Sequence, residues 1–286
     1  MSLARIIGKL EGWKYTPLHS IVLPEGKIRD GQKFDNHGDQ YICDRADALE
    51  TIHVKSGDHT IIVEEQGKAA IKAQEITVEQ NASLLHIRIL NDGTRPYFAP
   101  VHASIARDGL YTQLTLTHGG TLMRLATQAE LNGENAKADI RAIHKVSDEN
   151  HIDQTILIKH MAPHCESNQN VRYVVDGEAR AAFQGKIFVD QIAQKTMAYQ
   201  LCKSLLLSDA AQMNTKPELE IYADDVKCSH GATTGALDEK AMFYLRSRGV
   251  PKDEAQKLLM QAFVENVLEG LDLPENVQAM IESYLS

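Results

Sequence analysis

Lys216-Pro217-Glu218-Leu219-Glu220-Ile221-Tyr222-Ala223-Asp224-Asp225-Val226-Lys227-Cys228-Ser229-His230-Gly231-Ala232-Thr233-Thr234-Gly235 is where the chain changes character. Two β-like pieces, Leu219 to Ala223 and Val226 to His230, flank an Asp224-Asp225 break, and beyond Gly235 the pattern turns helical. Residues two apart on an extended strand share a face. Cys228 and His230 therefore point one way with Val226, and Lys227 and Ser229 point the other. A thiolate beside an imidazole suits soft or borderline metals, although a buried cysteine next to a hydrogen-bonded histidine has the same spacing.

Upstream of this stretch, from about residue 51, short β-prone segments are broken by polar turns. They include Thr51–Val54, Thr60–Val63, Ile76–Val78, Leu84–Leu90, Leu110–Thr117, Leu122–Ala126, Ala138–Val146, Thr155–Lys159, Val171–Val175 and Ala181–Val189. In the last, Phe183, Ile187 and Val189 fall on one parity and Lys186 and Asp190 on the other, a period of two with one buried face. The series has no helical interruption long enough for βαβ crossovers. Hairpin signals are few, Asn132-Gly133 and Asp176-Gly177 being the best. Interior positions read as small and aliphatic, as thin stacked coils require. These features predict a mainly β chain built as a β-solenoid, although no strict repeat shows in the letters.

Downstream, Leu237–Arg248 reads as one helix with acids in its first turn, bases in its last and Gly249 as its stop. Pro251 opens a second helix to about Glu269, with an apolar stripe of Ala255, Leu258, Leu259, Ala262, Phe263 and Leu268. Pro274 opens a short third. The expected organisation is an irregular arm over 1–50, with Trp13 packed on the body, a β core over 51–235 and a helical subdomain over 236–286. The stripe can dock on the β body or bind a partner.

With 286 residues and a formal charge of −9, the chain lacks the clustered Lys and Arg of a nucleic-acid surface. Cys43, Cys165, Cys202 and Cys228 are scattered with no Cys-x-x-Cys pair, which favours a reducing compartment over a disulfide framework. No apolar run approaches a membrane span and the start has no signal-peptide h-region, so a soluble, cytoplasmic chain is expected. Phosphate-cradling Gly-x-x-x-x-Gly-Lys-Ser/Thr and nucleophile-elbow Gly-x-Ser-x-Gly motifs are absent. In the second His/Cys cluster, His160 to Cys165, Pro163 breaks the helix that would align the two histidines. Glu64-Glu65 and Asp224-Asp225 read as solvated turns rather than acid/base dyads.

Read with its flanks, the opening stretch resembles the SufD family, a scaffold component of the SUF iron–sulfur cluster assembly system. The likeness runs through His160 to His164, Asp176-Gly177, Phe183 to Ile187, Ala193 to Thr196, Leu205 to Asp209, Pro217 to Thr233 and Phe243 to Gly249. Glu11-Gly12-Trp13-Lys14-Tyr15-Thr16 is similar to a motif near the family's start. The resemblance implies a right-handed parallel β-helix with a C-terminal helical subdomain. It implies a SufB–SufD heterodimer joined near this motif, and a SufC ATPase on the C-terminal helices. It carries over His230 as candidate ligand of a transient iron–sulfur cluster at the SufB interface, with Cys228 as its neighbour. It implies no catalytic activity of the chain's own and no cofactor in the isolated chain, and leaves a flavin in the full complex open. A β-helix that ends near His230 also leaves strand edges unpaired, which predicts a two-fold homodimer through residues 219–230 when the chain is alone. Two readings from other classes stand beside it: a metal-dependent enzyme using His230, and a solenoid carbohydrate-active protein with paired carboxylates in a groove.

Overall fold

The computed structural model describes residues 46–67, 69–91 and 95–285, together with Tyr15, Thr16, Asp39 and Ile42. The Trp13 contact expected of the N-terminal arm, and Cys43, lie outside the described residues. Strands alternate between two sheets in which every pairing is parallel. The first sheet holds β1 (Ala48–Val54), β3 (Lys72–Val78), β5 (Tyr97–Ile105), β7 (Leu122–Leu131), β9 (His151–His160), β11 (Arg180–Val189) and β13 (Gln212–Ile221), in that order. The second holds β2 (His59–Glu65), β4 (Ser83–Leu90), β6 (Leu110–His118), β8 (Lys137–Val146), β10 (Glu166–Val175), β12 (Met197–Leu206) and β14 (Lys227–Gly235). One odd and one even strand make a coil, and the coils stack into a β-solenoid whose interior lies between the sheets.

Asn132-Gly133 and Asp176-Gly177 are not hairpin turns. Each joins a strand of one sheet to a strand of the other. A Cβ on Gly133 would lie 2.0 Å from the Arg107 backbone N, so glycine there permits the close stacking of successive corners. One left-handed residue recurs at the same corner of the first six coils: Gly57 (φ 80°), Asn81 (57°), Asp108 (56°), Asn135 (60°), His164 (62°) and Lys195 (63°). The amide N–H of each donates to a carbonyl of the next corner, from Gly57 to Gln80 through Lys195 to Asp225.

The coil lengthens along the chain. Ala48 pairs with Lys72, 24 residues on, whereas Arg180 pairs with Gln212, 32 residues on. Inward residues such as Ile76, Val101, Ala129, Ile156 and Phe183 form the continuous core. The interior is nevertheless more polar than the sequence suggests. Gln113 donates from Nε2 to Thr115 on its own strand and to Thr127 in the facing sheet, and His144 Nε2 lies 2.6 Å from Gln154 Oε1. Burial pushes the His144 imidazole down to about 4 against the help of Gln154, and likewise His160 to about 4.

Three helices follow: α1 (Glu239–Ser247), α2 (Lys252–Glu265) and α3 (Glu275–Leu285). The Asp238 side chain caps α1 by accepting from the Lys240 and Ala241 N–H groups. Val264, Val267, Val277, Ile281 and Tyr284 cover Ile87, Leu114, Leu116, Ile143 and Val174 on the outer face of the second sheet. Arg141 donates to the carbonyls of Val267 and Glu269, and the Tyr284 hydroxyl donates to that of Ile143. The docked face overlaps the expected stripe in part: Phe263 and Leu268 pack half-buried against this cluster beside the buried Val264, while Leu258 is 44% exposed. No helix among the described residues is long and apolar enough to cross a membrane.

Candidate functional site

The last coil, β13 and β14, ends the solenoid. β13 pairs with β11 and β14 with β12, and neither has a strand partner on its other edge among the described residues. The register places Cys228 over Ala198, His230 over Gln200 and Ala232 over Cys202. These are inward positions: in β12 the three residues are at most 3% exposed. In β14 Cys228 is half-buried while His230 and Ala232 are exposed, because no coil lies above to close the interior. The shared face expected of Cys228 and His230 is therefore an uncovered cross-section of the solenoid.

Cys228 packs with Ile187, Ala193, Ala198 and Val226, and burial pushes its thiol up. The His230 side chain has no hydrogen bond or ion pair among the described residues, which leaves both ring nitrogens available. Lys195 and Asp225 form an ion pair on the rim, and the Lys227 N–H donates to the Thr196 carbonyl. A thiol and an imidazole supply two donors, half of a tetrahedral set. Among the described residues, no three or more His, Cys, Asp or Glu side chains come together to hold a metal.

The other sequence candidates separate. His160 is buried at the end of β9 with Nε2 2.8 Å from Ser167 Oγ, whereas His164 is an exposed corner residue. Glu64 turns inward, accepting from Arg88 Nε at 2.5 Å, Gln74 Nε2 at 2.8 Å and Lys72 Nζ at 2.5 Å. Burial alone would raise the Glu64 carboxyl, but Arg88, His86 and Lys72 together hold it far below the carboxylate range. Its neighbour Glu65 faces outward, and Asp224 and Asp225 lie exposed in the turn before β14.

Sequence reading passed over β5 and β12. β5 contains Pro100, a residue that demotes a strand pattern. The inward residues of β12 include Gln200, Cys202 and Ser204, so its alternation does not read as apolar against polar. On the helices, Phe243 is 75% and Tyr244 57% exposed, beside a hollow of about 500 Å³ lined by Leu237, Glu239, Met242, Phe243, Arg246 and Ser247.

Comparison with known proteins bears on this end of the molecule. Residues 46–263 match the SufBD core domain of the SUF system for FeS cluster assembly. Over 197 residues the chain is 37% identical to the iron-sulfur cluster assembly protein SufD of Escherichia coli (strain K12), covering 68% of this chain and 47% of that protein. It is 38% identical over 205 residues to an iron-sulfur cluster assembly SufBD family protein of Synechocystis, covering 70% of this chain and 44% of that one. Protein ABCI7, chloroplastic, of Arabidopsis thaliana is 32% identical over 201 residues, covering 68% of this chain and 42% of that protein. The chain thus spans about half the length, or less, of these relatives.

Proposed function

The chain belongs to the SufBD core family of the SUF system for iron–sulfur cluster assembly, and on that footing we propose that it is a cytoplasmic assembly scaffold rather than an enzyme. It pairs with SufB through the open end of the solenoid and carries the SufC ATPase on its helices. The observation that carries this reading is the uncovered last coil. Two sheet edges present unpaired N–H and C=O groups, and such edges are covered or extended in working proteins. Directly between those edges stand two donors, Cys228 and His230, that cannot complete a metal site alone. A partner solenoid docked there would extend both sheets and add the missing ligands. The nascent cluster, as cargo, would then sit at the seam with His230 as a ligand and Cys228 beside it.

The same edges have a second copy of this chain as their nearest substitute, so the isolated chain forms a two-fold dimer through residues 219–230. The helices suit a role in transmission. Arg141 ties its guanidinium to two carbonyls after α2, and Lys145 donates to the Tyr284 carbonyl in α3. A movement of the helices is thereby coupled to the strands of the second sheet. Phe243 and Tyr244, exposed beside the hollow on α1, are the proposed contact for SufC. The free thiols of Cys165, Cys202 and Cys228 suit a reducing compartment.

Mixing the purified chain with SufB tests the reading. The expected result on a sizing column is replacement of the homodimer by a heterodimer, with SufC joining it. Substituting Phe243 and Tyr244 by Ser should weaken SufC binding and leave the SufB pair intact. A chain that stays apart from SufB, or whose SufB contact survives Pro substitutions along β14, would overturn the proposal.

A further inference from the structure

Two buried amides beneath the open end have no partners. Gln169 of β10 is fully buried and Gln200 of β12 is 3% exposed, yet neither Nε2 nor Oε1 of either side chain has a hydrogen-bond partner among the described residues. They lie in one column of the register, Gln169 under Gln200 under His230. With neighbouring strands about 4.8 Å apart, Gln169 lies roughly 10 Å below His230. The column closes one coil deeper, where Ile140 pairs with Gln169. Deeper in the solenoid both ends of the Gln113 amide are bonded, to Tyr111, Thr115 and Thr127.

The opposite wall makes room for this column. Gly185 of β11 faces Gln200, and a Cβ there would lie 2.5 Å from the Gln200 Nε2. The missing side chain lets the amide extend across the interior instead of folding back on its own strand. Buried polar groups in folded proteins are satisfied, by water where protein offers nothing. We propose that the interior of the last three coils is a hydrated chamber, floored by Gln169 and Gln200, that admits small uncharged hydrogen-bonding molecules from the open end. Each amide offers two donors and an acceptor, which matches water or a comparable neutral guest. The inward positions of β10 and β12 carry no ionised group (Ser167, Gln169, Val171, Tyr173, Ala198, Gln200, Cys202, Ser204), so an ion would lie there without a counter-charge. The chamber is a property of this chain by itself and does not depend on the assembly role.

Cys202 reports on it. Its thiol is 1% exposed, two residues from Gln200 on the same face, and only Ala232 stands over it in the register. Cys165 is an equally buried thiol at a coil corner, its Sγ 3.3 Å from the Gly133 carbonyl. Burial pushes both up, Cys165 to about 11 and Cys202 to about 12, so intrinsic reactivity favours Cys165. The chain is treated, at a dilution where it runs as a monomer, with methyl methanethiosulfonate, which adds a methylthio group and releases methanesulfinate. Peptide mapping should show Cys202 labelled about tenfold faster than Cys165, opposite to the order set by thiolate fraction. Gln200→Leu, which replaces the amide with an apolar group of similar length, should bring the Cys202 rate down to that of Cys165. A high-resolution crystal structure should show ordered water on both amides in either oligomeric state. Labelling of Cys202 no faster than Cys165, or both amides bonded directly to protein without water, would overturn the proposal. These results concern the isolated chain, so the chamber can fail while SufB pairing stands, and the reverse.

Discussion

At the first coil the interior-facing charges find partners in the next coil: Glu64 is bound by Arg88 and Lys72, and Gln74 donates to both Glu50 and Glu64. At the last coil Cys228 and His230 face the same interior and have nothing above them. Both ends meet the same problem, since a stack of coils must stop somewhere and its terminal cross-section is wet. At the N-terminal end the inward Glu64 is held by ion pairs to Arg88 and Lys72, and the inward Ile52 and Val54 of β1 are buried. The C-terminal end leaves two metal-capable side chains on an uncovered cross-section; strand edges do not separate the two ends, since β1 and β2, like β13 and β14, have no further strand partner among the described residues. The difference lies in the inward side chains: those of the first coil are buried and paired, and those of the last are exposed and unpaired among the described residues.

The comparison breaks most sharply at Glu64. Glu64→Leu would strand Arg88, whose guanidinium is fully buried, without its carboxylate. Removing one partner of a buried pair is destabilising by about 3–5 kcal/mol. Urea titration should find a loss of this size, and a loss below about 1 kcal/mol would mean that water reaches Arg88 and that the N-terminal end is as open as the other.

Acid is the next largest perturbation, and it acts on the body of the solenoid. His144 and His160 have folded values near 4, below the unfolded value of about 6.5. The unfolded chain therefore binds more protons between pH ~6.5 and ~4, and stability falls as the pH drops through that window. At 1.36 kcal/mol per pH unit, each group contributes on the order of 3 kcal/mol that is present above pH ~6.5 and lost by pH ~4. His86 and His151 are pushed in the same direction by burial. Glu64 extends the loss below pH ~4.3, because its carboxylate is favoured in the folded state and must be protonated there. Chemical denaturation from pH 7 to 4 should show this decline, and His144→Gln should flatten it. An unchanged midpoint across the window would mean that these imidazoles are hydrated.

How much of this was legible follows from the same chemistry. Strands with apolar inward residues, such as β11 with Phe183, Ile187 and Val189, announced themselves by period two, and the first helix by its acidic start and its stop at Gly249, although Asp238 proves to be its cap rather than a helical residue. The repeat was hidden because its fixed element is a backbone conformation, not a residue. Glycine, asparagine, aspartate, histidine and lysine all fill the left-handed corner, while the coil grows from 24 to 32 residues. That corner also explains His164, for which Pro163 before it already excluded a helical face shared with His160. The parity of Cys228 and His230 was readable from the letters. Their exposure was not, because it depends on β14 being the last coil. Gln200 carried no signal at all: an inward amide on a strand looks like an outward one until the register sets it beneath His230.

The smallest expected effect lies at the other end of the comparison. The His230 side chain is exposed, makes no hydrogen bond among the described residues and stands above Gln200 rather than packing between coils. Substitutions away from the core, caps and buried networks change stability by about 0.5 kcal/mol or less. His230→Ala should therefore leave the denaturation midpoint of the isolated chain almost unmoved. Cys228→Ala should cost somewhat more, since Cys228 packs with Ile187 and Ala198. Assembly should rank the two the other way. With SufB and SufC present, loss of His230 should lower cluster formation, read from the visible absorption of the reconstituted complex, more than loss of Cys228. Were His230→Ala to lose ~2 kcal/mol or more, a value typical of a core truncation, with cluster formation spared in the folded fraction, the imidazole would be a packing residue. The open end would then need another explanation.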